Sequence, residues 1–217
     1  MRQRRLKDLD ERLERHKDLM VAEAKENKGK WRTVFGKTGP LFLELGCGKG
    51  QFVSKLAKDN PQNLYLAIEG QENVIVKAAE KIQNQGIENV LLISDYITDI
   101  KEYFAENELD GLYLNFSDPW PKARHAKRRL TYRGFLESYG VIIKEGGFIE
   151  FKTDNDDLFA FTLEEIEEVG YKIIHQTTDL HSSDFPSKEV RTEYEEKFSS
   201  RGKNINYVKV KIEEGKK

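Results

Sequence analysis

Leu43-Glu44-Leu45-Gly46-Cys47-Gly48-Lys49-Gly50 runs from an apolar stretch into Gly-x-Gly-x-Gly. Glycines at the carboxyl edge of an open α/β sheet let the backbone approach a ligand closely. A dinucleotide fingerprint, Gly-x-Gly-x-x-Gly, would need glycine at position 51, where Gln51 stands. That fingerprint seats a pyrophosphate on a helix N-terminus. Glu44, just before the glycines, would repel a pyrophosphate and suits an ammonium or sulfonium instead. Glu69 ends the next apolar run, where an acid accepts hydrogen bonds from ribose hydroxyls. Asp95 follows the third run, within reach of an adenine amino group. Alone, each acid reads as a solvated strand terminus. Together with Gly46, Gly48 and Gly50 they describe S-adenosylmethionine better than NAD.

The fourth run leads into Ser117-Asp118-Pro119-Trp120-Pro121-Lys122, a segment stiffened by two prolines. Trp120 offers a face for a stacked base, or ordinary packing. Enzymes that methylate exocyclic amines carry a Pro-Pro-aromatic element here, and Asp-Pro-Trp-Pro departs from it. Guanine N7 fits better, because its lone pair is free at neutral pH and attack on a sulfonium methyl needs no strong base. The task is then positioning and tolerance of the positive charge the purine gains. Asp118 and Asp154 suit both, although Asp154 taken alone reads as the N-cap of a helix starting near Asp156. Lys122, Arg124, His125, Lys127, Arg128, Arg129 and Arg133 follow with no acid among them. Such a run positions a nucleic-acid backbone.

These residues need a frame. Leu41–Leu45, Leu64–Ile68, Val90–Ile93, residues 111–116 and residues 148–152 read as strands alternating with helices, one of them over about 72–83. That alternation predicts βαβ units and one open, doubly wound, mainly parallel sheet. Residues 171–176 and 205–212 read as late strands, the last alternating as an added antiparallel strand would. Residues 1–27 read as a polar helix, a basic arm able to order on RNA. The division expected is an arm over 1–30 and one α/β domain over 31–217.

Composition bounds the rest. The chain has 217 residues, 38% hydrophobic and 34% charged, with a formal net charge of -2. That balance argues against a generic nucleic-acid coat protein, yet its charges are segregated. Arg2, Arg4, Arg5, Lys7, Arg12, Arg15 and Lys17 form a second basic set, either RNA-binding or solvated, while Glu164, Glu165, Glu167 and Glu168 gather elsewhere. No stretch approaches the roughly 20 apolar residues that cross a bilayer, and the amino terminus lacks the apolar core of a secretory signal. A lone cysteine, Cys47, fits a reducing cytoplasm. Four scattered histidines and one thiol imply no metal site.

Glu44-Leu-Gly-Cys-Gly-Lys-Gly50, Glu69, Asn115-Phe-Ser-Asp-Pro-Trp-Pro-Lys-Ala-Arg-His-Ala-Lys-Arg-Arg-Leu130, Phe151-Lys-Thr-Asp154 and Thr192-Glu-Tyr-Glu195 together resemble the bacterial tRNA (guanine-N7)-methyltransferases. The resemblance spans nearly the whole chain, and the Asp-Pro-Trp-Pro segment is its most specific part. It implies a Rossmann-like class I methyltransferase acting on the guanine at position 46 of the tRNA variable loop. It further implies that Glu44, Glu69, Asp95 and Asp118 contact the cofactor and that Asp118 is catalytic. Lys122, Asp154, Thr192, Glu193, Tyr194 and Glu195 would bind substrate, and Arg124, His125, Lys127, Arg128 and Arg129 would contact RNA. No obligatory protein partner is expected, and a homodimer is left open. Two other readings compete: a methyltransferase acting on another RNA, a protein or a small molecule, and a non-catalytic RNA-binding protein on the same scaffold. Intact acids at the strand ends argue against the second.

Overall fold

Apolar runs of four or five residues, too short for helices and bounded by turn residues, become the inner strands of the sheet. The computed structural model describes residues 5–213. In chain order it contains α1 (Leu9–Arg15), α2 (Trp31–Phe35), β1 (Leu41–Leu45), α3 (Gln51–Asp59), β2 (Leu64–Ile68), α4 (Glu72–Asn84) and β3 (Val90–Ile93). Then follow β4 (Leu109–Asn115), α5 (Arg133–Ile142), β5 (Ile143–Thr153), α6 (Asp156–Val169), β6 (Lys172–Thr177), α7 (Glu193–Ser199) and β7 (Asn206–Lys211). The seven strands form one sheet in the order β3-β2-β1-β4-β5-β7-β6. The first five strands run parallel, and β7 lies antiparallel between β5 and β6, as its alternation predicts.

Helices cover both faces, so β2 is buried along its full length. On one face, Leu41, Leu43 and Leu45 join Leu112, Tyr139 and Leu158 in the larger core. On the other, Val53, Ala57, Ile75 and Ala79 of α3 and α4 pack on Tyr65, Ala67 and Val90. Strand side chains alternate between faces, which puts Glu44 on the side of Phe42, beneath α3 and α4. Strand ends differ slightly from expectation. β4 stops at Asn115, one residue early, because Phe116 turns to φ 52. β5 begins at Ile143, which pairs with Leu109 before the register shifts at Gly111.

The amino-terminal segment is not one helix over residues 1–27. α1 has seven residues and is followed by two short 3-10 turns, Lys17–Leu19 and Ala24–Asn27. Its apolar anchors lack helical spacing, and they are used separately against the domain. Leu9 and Trp31 are buried. Met20 bridges to Leu92, and the Val21 N–H donates to the Leu92 carbonyl at 2.8 Å, which covers the outer edge of β3. The basic set is largely paired: Arg12 makes two 2.7 Å bonds to Glu80, Lys17 meets Glu14 at 2.6 Å, and Arg5 meets Asp10. Arg2 and Arg4 lie outside the described residues. Glu108 receives the N–H groups of Gly29, Trp31 and Ala105, and the Trp31 indole donates to the Tyr103 carbonyl at 2.9 Å. Trp31→Ala is therefore expected to cost roughly 3–5 kcal/mol, the range for deleting a large buried aromatic. Urea unfolding measures it, and a change below about 1 kcal/mol would mean that the segment is not part of the folded unit.

Candidate active site

Between β1 and α3 the chain turns through Gly46 (φ 82), Gly48 (φ 56) and Gly50 (φ 74). A side chain at Gly50 would meet the Ala78 methyl at 2.8 Å, so this glycine serves the packing of α3 on α4. Gly46 and Gly48 face open space, with no atom within 4 Å of where a side chain would begin. Their glycine character suits a backbone that a ligand must touch. The turn is held from beneath: Gly46 and Cys47 donate to the Ile68 carbonyl at 2.8 and 3.0 Å, and the Gly48 N–H donates to Glu69 at 3.2 Å.

Two cavities open at this edge of the sheet. One, of about 440 Å3, is lined by Glu44, the glycine turn, Phe52 and residues of α7. The other, of about 300 Å3, is lined by Asp95, Tyr96, Asp118, Trp120 and Arg128. They share Gly46, Glu69, Asn115 and Phe116 and so meet over the ends of β1 and β4.

Glu44 is 2% exposed and accepts a hydrogen bond from the Asn115 side chain at 3.0 Å. Its other oxygen, Oε2, is buried with no hydrogen-bond partner among the described residues. Burial pushes this carboxyl up to about 7, against the pull of the Asn115 side chain, of the Val53 backbone N–H at the start of α3 and of the nearby Lys152. A buried carboxylate oxygen left unsatisfied beside open glycine backbone fits a cationic group. Glu69 receives the Gln71 N–H at 3.0 Å as well as that of Gly48, and remains half-buried at the junction. Asp95 is exposed at the rim of the second cavity, accepting from its neighbour's N–H at 2.7 Å and from the Tyr103 hydroxyl. The three acids thus border one continuous space. This set of acceptors fits S-adenosylmethionine, whose ammonium, sulfonium and ribose hydroxyls are all cations or hydrogen-bond donors.

Asp118 is exposed on the second cavity and takes no hydrogen bond among the described residues. The segment that carries it is strained, with Phe116 at φ 52 and Trp120 at φ 40. Non-glycine residues hold such values only where surroundings impose them. Arg129 braces the Trp120 end: its guanidinium donates to the Pro119 and Trp120 carbonyls at 3.0 and 3.1 Å and lies over the Phe161 ring at 4.3 Å, while the Phe116 N–H donates to the Lys152 carbonyl at 2.9 Å. Arg128 covers Trp120 at 5.0 Å, and His125 meets that ring edge-on. Lys122, Arg124 and Lys127 stand exposed on or beside the 3-10 turn Ala123–Arg128.

Asp154 does not cap α6. Asn155 does, accepting from the Leu158 N–H at 2.7 Å. Asp154 instead faces the Tyr194 hydroxyl at 3.4 Å. Thr192 and Glu195 form a reciprocal capping box on α7. Of the run Thr192 to Glu195, the first three residues line the larger cavity. Glu193 is clamped by Lys49 of the glycine turn at 3.0 Å and by Lys81 of α4 at 2.7 Å. Glu195 turns inward, fully buried, to meet Lys152 at 3.3 Å. Two residues here carry no role in the sequence reading, Asn115 and Lys152. The one available signal is a polar side chain interrupting an otherwise apolar buried strand end.

Residues 38–208 match a family model described as "Putative methyltransferase". Two relatives from Streptococcus pneumoniae, of strains 70585 and Taiwan19F-14, each bear the name tRNA (guanine-N(7)-)-methyltransferase. Each is 44% identical to this chain over 212 residues, covering 98% of the chain and all of the relative. The chain belongs to the tRNA (guanine-N7)-methyltransferase family. Among solved structures, an antibiotic-related methyltransferase superposes with a TM-score of 0.62 at 18% identity, covering 88% of this chain and 94% of its own. A SAM-dependent methyltransferase from Aquifex aeolicus gives 0.57 at 18% identity, covering 92% and 97%. At that identity the likeness speaks for the fold, which is the class I methyltransferase arrangement.

The raised Glu44 carboxyl makes cation binding pH-dependent. Below about pH 7 the group is protonated, and a bound cation favours the ionised form, so binding must expel the proton. Affinity for S-adenosylmethionine is expected to fall roughly tenfold from pH 8 to pH 6. Calorimetry across that range measures it, and Glu44→Gln should bind weakly with a flat profile. A flat profile in the unaltered protein would remove Glu44 from the site.

Proposed function

We propose that this chain transfers the methyl group of S-adenosylmethionine to N7 of guanine in tRNA, at position 46 of the variable loop, leaving S-adenosylhomocysteine. The observation that carries the proposal is the meeting of the two cavities over Gly46, Glu69, Asn115 and Phe116. A donor held by Glu44, Glu69 and Asp95 across the joined cavities comes next to the strained Asp118–Trp120 loop. The name of the Streptococcus pneumoniae relatives supports tRNA guanine N7 as the acceptor.

In this reading Glu44 pairs with the donor's cationic end, Glu69 accepts from its ribose and Asp95 from its adenine amino group. When bound, the donor supplies a methyl whose bond to sulfur breaks, the electron pair leaving with sulfur, as N7 forms its bond to carbon. The chain's part is electrostatic and geometric. Asp118, exposed and without an ion-pair partner among the described residues, offsets the positive charge the purine gains and fixes the base from one side. Lys122, Asp154, Thr192, Glu193 and Tyr194 border the approach of the acceptor. Arg124, His125, Lys127 and Arg128 supply phosphate contacts, whereas Arg129 acts through the loop it clamps. No described helix is long and apolar enough to cross a membrane; a tRNA substrate supports a cytoplasmic reading.

Incubation with labelled donor and unmodified tRNA, followed by borohydride and aniline cleavage, should cut the RNA at position 46. Label incorporated without that cut would overturn the assignment of N7. Asp118→Ala should lower the transfer rate at least about a hundredfold while leaving donor affinity within a few-fold; a fully active variant refutes its role. Replacing Arg124, Lys127 and Arg128 together by Ala should reduce the salt slope of tRNA binding by about two to three. An unaltered slope would leave these cations as solvated surface.

A further inference from the structure

Lys152 lies within the Phe151-Lys-Thr-Asp154 stretch, at the carboxyl end of β5, yet its side chain is only 1% exposed. A buried lysine is unusual and needs acceptors for each of its N–H bonds. It has three: the Ser187 and Val190 carbonyls, each at 2.7 Å, and Glu195 Oε2 at 3.3 Å. Burial pulls this amine below the ordinary lysine value, and Glu195 and Glu150 pull it back. Three acceptors for three N–H bonds is the arrangement of an ammonium.

All three acceptors belong to one stretch, residues 187–195, which has little other regular structure. It comprises a short 3-10 turn, Pro186–Glu189, and the start of α7. Its far end supplies Thr192, Glu193 and Tyr194 to the wall of the larger cavity. Glu195 also closes the capping box, receiving the Thr192 N–H at 3.3 Å while its own N–H donates to Thr192 Oγ1 at 2.9 Å. Lys152 therefore holds the base of that wall, while Lys49 and Lys81 hold Glu193 from above.

From this geometry we infer that Lys152 is a positioning residue: it ties residues 187–195 to the end of β5 and so fixes Thr192 and Tyr194 against the acceptor base. The inference rests on the function proposed above for the same site. It also accounts for the burial of Glu195, which shapes the wall through Lys152 rather than by facing the cavity.

The test uses the full chain carrying Lys152→Met, and a second variant combining Lys152→Met with Glu195→Gln. The single change leaves the buried Glu195 carboxylate with only the His181 imidazole, at 3.3 Å, as an ion-pair partner among the described residues, and a buried charge stripped of its ammonium can by itself unfold a protein. The double change removes that charge and should restore the melting temperature, and it carries the test if the single variant fails to fold. Hydrogen exchange of the amides of residues 187–196 should accelerate at least about tenfold in the double variant, while those of β1 and β4 keep their protection. Single-turnover transfer to tRNA should fall at least about thirtyfold, with donor affinity within about threefold of the unaltered protein. Unchanged exchange in residues 187–196 overturns the inference, whatever the enzyme acts on. Recovery of the transfer rate together with stability overturns it too, because Lys152 would then act only through folding. Absence of transfer in the unaltered protein defeats the proposed function instead, and the exchange measurement still decides the role of Lys152.

Discussion

Where β1 and β4 pair, the Asn115 side chain at the end of β4 donates a hydrogen bond to the buried Glu44 of β1. At this seam the strand order reverses: β1 leads outward to β2 and β3, and β4 begins the return toward β5. Chains leaving adjacent strands on opposite faces open a crevice there, the general position for ligands in open α/β sheets. The bond satisfies one oxygen of a buried carboxylate, and the other makes no hydrogen bond of good geometry among the described residues. A half-satisfied buried acid costs the free protein stability and holds its proton to about pH 7. A cation in the crevice resolves that cost. The remaining features of the site follow from the need to place a second molecule beside that cation.

Charge is partitioned accordingly. Acids stand at the ends of β1, β2 and β3, where the sheet delivers them side by side. Many cations elsewhere are neutralised within the protein: Arg12 on Glu80, Arg133 on Glu165, and Lys49 and Lys81 on Glu193. The surface around the loop after β4 is different, with Lys122, Arg124 and Lys127 exposed and no carboxylate paired to them among the described residues. A chain of net charge -2 can in this way attract a polyanion to one part of its surface.

Rigidity is supplied by buried or clamped cations. Arg129 holds the strained Pro119–Trp120 backbone from below, and Lys152 holds the stretch leading into α7. Neither needs to touch a ligand to matter, since a displacement of a reacting group by about 1 Å is enough to cost a large part of a rate. The two cations brace opposite sides of the joined cavities.

By itself the sequence determined the strands, the glycine turn, the acids and the cationic run. These are local matters: short apolar runs, turn chemistry and charge are written in neighbouring residues. β1, β2 and β3 fall where their apolar runs predict. The amino-terminal segment was misread as one helix because its anchors, Leu9, Met20 and Trp31, find separate partners that no local pattern announces. Asn155 rather than Asp154 caps α6, and only the path of the chain decides between adjacent residues that can both cap. Within the cationic run, the split between Arg129 as clamp and Arg124 as exposed cation depends on which carbonyls lie within reach. Tertiary structure alone decided that Glu195 turns inward to Lys152, 43 positions away in sequence, because pairing of buried charges is settled by distance in space, and sequence separation carries no record of it.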